Sequence, residues 1–173
     1  MERMSEPASA VSDRQVPARF EAFFRAEHQR LLRALFLVTG NEQEAEELMQ
    51  DAFLAVWERW DRVSAMDEPT GYLYRCSMNA FRSRLRRAAR ATKRVVRAEP
   101  PEDDFARADE RDTVARALRS LAPRQRAAVV LIEYLGYGSE EAGEVLGVKP
   151  VTVRVLASQA RTALKQTLEQ SDE

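Results

Sequence analysis

The apolar positions of this chain follow the spacing of amphipathic helices along most of its length. From Phe20 to Val38 they recur every three or four residues, which is typical of a helix with one buried face. The next stretch has the most regular period, and its opposite face is acidic. Its apolar positions are Ala45, Leu48, Met49, Ala52, Phe53, Val56, Trp57 and Trp60. No stretch alternates as a strand does, and there is no internal repeat, so the pattern predicts an all-α fold.

Glycine, asparagine and proline mark the predicted helix ends. Gly40 suits the left-handed position that ends a helix. Asn41 with Glu44 predicts a capping box at the start of the next helix. Because proline favours the first helical turn, three further helix starts are predicted at Pro69, Pro123 and Pro150.

Charge divides the chain into two parts. Eight basic residues and no acid lie between Arg82 and Arg97, whereas seven acids lie between Glu99 and Asp112, beside Pro100 and Pro101. An acidic, proline-containing stretch between two helical patterns indicates a linker. We therefore expect two small helical domains, 18–95 and 112–173, joined by a flexible acidic linker, 96–111, and preceded by a disordered segment, 1–17.

The composition argues against an enzyme or a metal protein. A single Cys, Cys76, excludes an internal disulfide, and a single His, His28, leaves too few ligands for the usual zinc sites. Most carboxylates fall on solvent-facing positions or in the linker, so no catalytic residues, metal site or cofactor are expected. The N-terminus lacks a signal-peptide pattern and the longest apolar run, 127–132, is too short to span a membrane, which predicts a cytoplasmic protein.

The C-terminal part predicts a helix-turn-helix. A short helix from about Ser139 to Leu146 precedes Gly147, a suitable C-terminal glycine, and the longer helix that Pro150 opens. The first turns of such a second helix read DNA bases in the major groove. The candidate reader residues are Lys149, Val151, Thr152, Arg154, Val155 and Ser158. A plain helical hairpin is the alternative, but the absence of acids between 149 and 168 favours DNA.

Two further surfaces are predicted to bind partners, one a nucleic acid and the other a protein. The basic stretch after position 82 follows Tyr72, Tyr74 and Asn79, which we interpret as exposed; aromatic side chains beside cations suit unstacked, single-stranded DNA bases. A solvated basic helix end is the alternative. The acidic face of the second helix would repel DNA, and its charge favours a basic protein partner.

These segments, in this order, resemble a bacterial RNA polymerase sigma factor of the extracytoplasmic-function group of the sigma-70 family. Residues 46–57 are similar to region 2.2, 71–87 to regions 2.3 and 2.4, and 121–126 with 146–154 to region 4 and its helix-turn-helix. The resemblance implies that region 2.2 binds the β′ clamp helices of polymerase, through Glu46, Glu47, Gln50, Asp51 and Leu54. It implies that regions 2.3 and 2.4 melt and read the −10 element, through Tyr72, Arg75, Asn79, Ser83, Arg84, Arg86 and Arg87. It also implies that the six reader residues bind the −35 element.

The chain departs from the family pattern at a few positions. Gly143 stands where the family often has alanine, and glycine weakens a helix by about 1 kcal/mol. Leu156 and Gln159 stand where basic residues are common, Pro150 and Val151 differ from the usual small polar start, and Arg82 replaces a common acid. These differences concern the strength of DNA contacts rather than the fold.

The leading hypothesis is therefore a promoter-specificity subunit without catalysis of its own. Its expected partners are the polymerase core, through the β′ clamp helices and the β flap, promoter DNA, and an anti-sigma protein. A near-neutral chain has weak phosphate affinity of its own, which fits a factor that needs polymerase. The alternatives are a helix-turn-helix regulator that acts without polymerase and a helical adaptor that binds only protein; an enzyme ranks behind both.

Overall fold

A computed structural model describes residues 8–92, 114, 117–118 and 120–171 of the 173-residue chain. The regular elements in these ranges are all helical, which confirms the predicted fold class. They are α1 (Ala8–Thr39), α2 (Glu42–Trp57), α3 (Trp60–Val63), α4 (Pro69–Thr92), α5 (Pro123–Val129) with a π-helical turn (Val130–Tyr134), α6 (Ser139–Leu146) and α7 (Pro150–Ser171). Each helix in the described ranges is too short or too polar to serve as a membrane span.

The predicted boundary between α1 and α2 is confirmed, and the Asn41 half of the predicted capping box is formed, while the Asn41 N–H donates to Thr39 Oγ1 at 3.1 Å. Gly40 has φ of 74°, the left-handed conformation that a residue with a Cβ rarely adopts. The Asn41 side chain accepts a hydrogen bond of 2.7 Å from the Glu44 N–H, which satisfies one orphan donor of α2. The chain therefore turns back sharply, and α2 packs along α1.

The first four helices form an N-terminal unit around a buried apolar core. Leu35 of α1, Leu48 of α2 and Leu73 of α4 are fully buried in it. At its outer end the Phe20 ring packs edge-on against the rings of Trp57 and Trp60, with centroid distances of 4.8 and 5.2 Å. This packing holds α1 across the end of α2 and leaves the polar sides of α2 and α4 outward.

The predicted disordered segment 1–17 is wrong for residues 8–17, which form the first turns of α1. Val16 packs against the apolar core and contributes to a surface groove with Trp57, and this burial stabilises a stretch that its polar composition does not favour. Pro17 lies inside the helix, where it removes one backbone donor. Residues 1–7 and the predicted linker 96–111 lie outside the described residues.

The C-terminal unit contains the predicted helix-turn-helix. Gly147 ends α6 with φ of 63°, and Pro150 is the first residue of α7, both as predicted. The helix that begins at Pro123 changes near its end: the Leu135 N–H donates to the Val130 carbonyl at 3.0 Å, the wider spacing of a π-turn.

Gly143 allows the turn between α6 and α7 to pack tightly. A Cβ at this position would lie 2.9 Å from the carbonyl oxygen of Val148, closer than real Cβ atoms approach backbone. The Val148 N–H also donates to the Gly143 carbonyl at 3.0 Å. Gly143 has a low helix propensity, but the turn that follows α6 requires a residue without a Cβ at this position.

The two units pack against each other, with α4 lying along α6 and α1 against α5. The Tyr74 ring meets the Tyr137 ring edge-on, with centroids 6.0 Å apart and planes at 88°. The Arg30 guanidinium donates to the Leu135 carbonyl at 3.2 Å. Buried residues of both units form one continuous core, so the described structure is closed between two units that the sequence predicts as separate domains.

Candidate nucleic-acid and protein interfaces

The acidic face of α2 comprises the five residues predicted to bind polymerase, and all of them are exposed: Glu46, Glu47, Gln50, Asp51 and Leu54. They lie opposite the buried stripe of Ala45, Leu48 and Ala52 that anchors the helix. Leu54 is 58% exposed, and Trp57, which the helical period assigns to the apolar face, is 43% exposed. Carboxylates beside two exposed apolar side chains form a surface suited to a basic protein with an apolar centre.

One residue of α4 reaches this acidic face. Arg84 donates from Nη1 to Glu47 Oε2 at 2.8 Å and from Nη2 to Asp51 Oδ2 at 3.3 Å. The hydrogen bond from Arg84 lowers the pKa of Glu47 below its usual value. Burial raises the pKa of the neighbouring Glu44, against the opposing charge of Arg84. The guanidinium predicted to contact DNA is thus held by two carboxylates predicted to contact polymerase.

The basic surface of α4 comprises the seven residues predicted to bind the −10 element. Four of these residues are exposed and three are half-buried; the exposed ones are Arg75, Asn79, Arg86 and Arg87, and the half-buried ones are Tyr72, Ser83 and Arg84. The expected exposure of Tyr74 is wrong. Its side chain is 1% exposed because the helical period turns it into the core beneath Tyr137. Burial raises the pKa of Tyr74 far above its usual value, so the hydroxyl is neutral.

One side of α4, at and beside this basic surface, faces the C-terminal unit. Arg75 Nη2 lies 3.4 Å from Glu144 Oε2 of α6, and the Arg82 guanidinium lies directly over Gly147. Arg82 also donates to Asn79 at 3.2 Å. The end of α6 therefore lies against this side of α4.

A cleft separates α4 from α6 and α7 next to these contacts, with a volume of about 330 Å³. Arginines and apolar side chains both line it; the lining includes Phe81, Arg82, Leu85, Arg86, Arg124, Leu146 and Leu156. Periodicity and charge patterning along the chain do not reveal this cleft, because it depends on how the two units meet. Leu156, which departs from the family pattern, faces this cleft rather than the reader surface.

The recognition-helix surface comprises the six residues predicted to read the −35 element, and every one of them is exposed: Lys149, Val151, Thr152, Arg154, Val155 and Ser158. Val151 and Val155 are 53% and 51% exposed, although they are large apolar residues. Arg154 Nη1 donates to Ser139 Oγ at 3.1 Å and lies 3.9 Å from Glu140 Oε1, which orients it along the start of α6. Gln159 accepts a hydrogen bond from Gln125 at 3.2 Å and so helps to join α5 to α7.

Cys76 and His28, the remaining candidates for a chemical role, are packed side chains. Cys76 is half-buried, and burial raises the pKa of its thiol. His28 stacks on Phe24, with ring centroids 5.0 Å apart, and is half-buried. Among the described residues, no group of three or more His, Cys, Asp or Glu side chains is arranged to hold a metal ion.

Family models and individual related proteins both match this chain to sigma factors. Residues 23–91 match the family model of sigma-70 region 2, and residues 111–164 match that of sigma-70 region 4. The chain is 32% identical over 150 residues to the ECF RNA polymerase sigma factor SigM of Mycobacterium tuberculosis, covering 86% of this chain and 76% of SigM.

Two solved structures share the fold. The sigma factor RpoE of Bartonella quintana, in complex with the anti-sigma factor NepR, superimposes with a TM-score of 0.68 at 21% identity, covering 87% of this chain and 97% of that one. CnrH, in complex with the cytosolic domain of CnrY, superimposes with a TM-score of 0.59 at 27% identity, covering 87% and 88%.

Proposed function

Since this chain belongs to the extracytoplasmic-function group of RNA polymerase sigma factors, which direct core polymerase to promoters, we propose that it divides that task among three surfaces. The acidic face of α2 binds polymerase, the basic surface of α4 binds the −10 element, and the recognition-helix surface binds the −35 element. The proposed units are 18–95 and 112–173, with 96–111 as the connection between them.

The acidic face of α2 supports polymerase binding by its charge and its apolar content. Glu46, Glu47 and Asp51 are exposed beside Leu54. Such a surface repels phosphates and attracts a basic protein surface, for which we propose the β′ clamp helices. Complementary charge accelerates and orients the encounter, and Leu54 supplies apolar area that is buried on docking.

The basic surface of α4 supports binding of the melted −10 strand. Arg86 and Arg87 are exposed for phosphates, and Tyr72 remains partly accessible as a platform for an unstacked base. Tyr74 has no such role in this proposal, because it is buried against Tyr137.

The recognition-helix surface supports duplex binding. Arg154 and Lys149 can donate to guanine or phosphate, while Val151 and Thr152 can contact thymine methyl groups. The observation that carries the proposed function is the exposure of all six predicted reader residues on one helix-turn-helix whose turn is closed by Gly143 and Gly147.

The closed arrangement must open for both DNA elements to be bound. Centres at −10 and −35 are separated by about 85 Å of duplex at 3.4 Å per base pair, whereas a compact domain of this length is about 40 Å across. The contacts that hold the units together, such as Arg75 with Glu144, also cover part of the basic surface of α4. We therefore propose that polymerase binding accompanies separation of the two units.

The near-neutral charge supports dependence on polymerase. The chain has 27 basic and 28 acidic residues, so its own long-range attraction to DNA is weak. Once polymerase holds one unit, the tether raises the effective concentration of the other at its DNA element. We propose no catalytic activity for the chain itself, and we place it in the cytoplasm, where the polymerase works.

An anti-sigma protein is proposed as a further partner. The structures of RpoE and CnrH that share this fold each contain a second protein, NepR or the cytosolic domain of CnrY. We propose that such a regulator binds this chain across its two units and blocks polymerase.

Run-off transcription tests the proposed function. Purified core polymerase and fragments of genomic promoters are incubated with and without the chain. The proposal predicts discrete transcripts only when the chain is present. It is overturned if the chain shifts promoter duplex tightly in the absence of core polymerase and adds no transcript in its presence, which is the behaviour of a free-standing regulator.

A further inference from the structure

The contact among Arg84, Glu47 and Asp51 joins two surfaces that have different proposed partners. Glu47 and Asp51 belong to the acidic face of α2, whereas Arg84 belongs to the basic surface of α4. In the closed chain both terminal nitrogens of the Arg84 guanidinium donate to these carboxylates. A phosphate that approached Arg84 would meet a trio whose net charge is −1.

The contact is positioned so that it can be exchanged. The Arg84 side chain is 26% exposed, whereas those of Glu47 and Asp51 are 48% and 60% exposed, so a basic partner can reach the carboxylates from solvent. Ion pairs to carboxylates that face solvent contribute modest net stability, because water and side-chain freedom compete with them. The cost of breaking the two ion pairs of the half-buried Arg84 is therefore offset when the carboxylates and the guanidinium each make a new contact.

We infer that Arg84 exchanges partners during promoter binding: it neutralises Glu47 and Asp51 in the free chain and turns to a DNA phosphate when polymerase takes the two carboxylates. This inference rests on the proposed function, since it assigns the acidic face to polymerase and the basic surface to DNA. After the exchange, the two carboxylates are available to pair with polymerase, and the guanidinium is available to pair with DNA. Binding at either surface then favours binding at the other, and this coupling is reciprocal.

In the alternative role, Arg84 is a fixed positioning residue. A carboxylate can accept from more than one donor, so Arg84 could hold Glu47 and Asp51 in position for polymerase without leaving them. The two roles predict opposite effects when Arg84 is removed. A fixed positioning role predicts that removal of Arg84 weakens polymerase binding, because the carboxylates lose their orientation. Partner exchange predicts tighter polymerase binding, because a competing cation is gone.

The experiment measures two affinities of Arg84→Ala and Arg84→Met, the second of which keeps the aliphatic stem. Affinity for core polymerase is measured by fluorescence anisotropy of the labelled chain, and affinity of the assembled holoenzyme for a single-stranded −10 oligonucleotide is measured in parallel. Partner exchange predicts that core binding tightens about two- to fivefold, the range expected from an exposed ion pair, while oligonucleotide binding weakens.

Two comparisons complete the test. Arg90→Ala removes one exposed positive charge from the same helix, and we expect it to change core affinity less than twofold. In the Glu47→Gln, Asp51→Asn background, removal of Arg84 should no longer tighten core binding.

Equal or weaker core binding by both Arg84 variants, or failure of both to fold, overturns the inference, since exchange requires a chain that tolerates loss of the contact. If the unaltered chain does not bind core polymerase at all, the proposed function fails instead.

Discussion

Tyr74 of α4 lies edge-on beneath Tyr137 of the C-terminal unit, with their ring planes at 88°, and its hydroxyl is buried without a hydrogen-bond partner among the described residues. The aromatic contact stabilises the closed arrangement, whereas the unpaired hydroxyl destabilises it. A buried polar group without a partner costs about 1–3 kcal/mol. The interface between the two units is therefore imperfectly satisfied at this contact, as expected of an interface that opens during function.

Replacing Tyr74 with phenylalanine should stabilise the chain, because the ring contact remains and the unpaired hydroxyl is removed. We expect the free energy of unfolding to rise by about 1 kcal/mol, measured by urea denaturation. Core polymerase binding should weaken slightly, since opening becomes more costly. Tyr137→Phe is the matched control, because the Tyr137 side chain is only half-buried. A loss of stability in Tyr74→Phe would contradict this account of the interface.

Replacing Gln50 and Asp51 with alanine should weaken core polymerase binding and leave the fold intact. Both side chains are exposed on α2, so their loss removes contacts to a partner without opening the core. We expect about tenfold weaker binding, which corresponds to about 1.4 kcal/mol, measured by anisotropy alongside a circular dichroism melt. Unchanged affinity would remove both residues from the proposed polymerase surface.

Replacing Arg154 with alanine should weaken −35 recognition by about 1–3 kcal/mol if the guanidinium contacts guanine with two hydrogen bonds. The loss should shrink on promoters whose −35 guanine is substituted, because the contact is then already absent. Arg161→Ala is the control: it removes the same charge from α7, at a residue that pairs with Glu133 at 2.9 Å. An unaltered −35 footprint of the Arg154→Ala holoenzyme would exclude Arg154 from the reader surface.

Replacing Gly143 with alanine should destabilise the chain even though alanine is the better helix former. The new Cβ would lie 2.9 Å from the Val148 carbonyl oxygen, so the backbone of the turn must shift. We expect a net loss of about 1–3 kcal/mol, the usual cost of overpacking, and a lower melting temperature.

Gly71→Ala is the contrasting variant, because its new Cβ would have an ordinary contact of 3.7 Å to Glu68 and should raise stability by up to about 1 kcal/mol. If Gly143→Ala were the more stable of the two, the close approach of the turn would be refuted.

Local signals allowed the helix boundaries to be predicted, because caps and breakers act within a few residues. Gly40, Asn41, Pro69 and Gly147 each have the predicted place and conformation. The exposed positions of α2 and α7 were predictable for the same reason, since helical periodicity determines which side chains face outward.

The contacts between distant segments could not be predicted from these patterns. The burial of Tyr74 and the position of Arg82 over Gly147 depend on how α4 meets the C-terminal unit. Glycine has a low helix propensity, so the sequence alone does not explain Gly143 within α6. The explanation is the Val148 carbonyl, which lies beside it in the folded chain. The pairing of Arg84 with Glu47 and Asp51 joins residues 37 and 33 positions apart, and charge patterning along one helix does not reveal it.

The separation of the two units on polymerase is the central claim, and one distance measures it. Fluorophores are placed at the exposed positions Ala65 and Gln166 in a Cys76→Ser chain, and energy transfer is followed in solution. High transfer is expected in the free chain, and a large fall is expected when core polymerase and promoter DNA are added. If that complex makes specific transcripts while the transfer stays at the value of the free chain, the claim is contradicted.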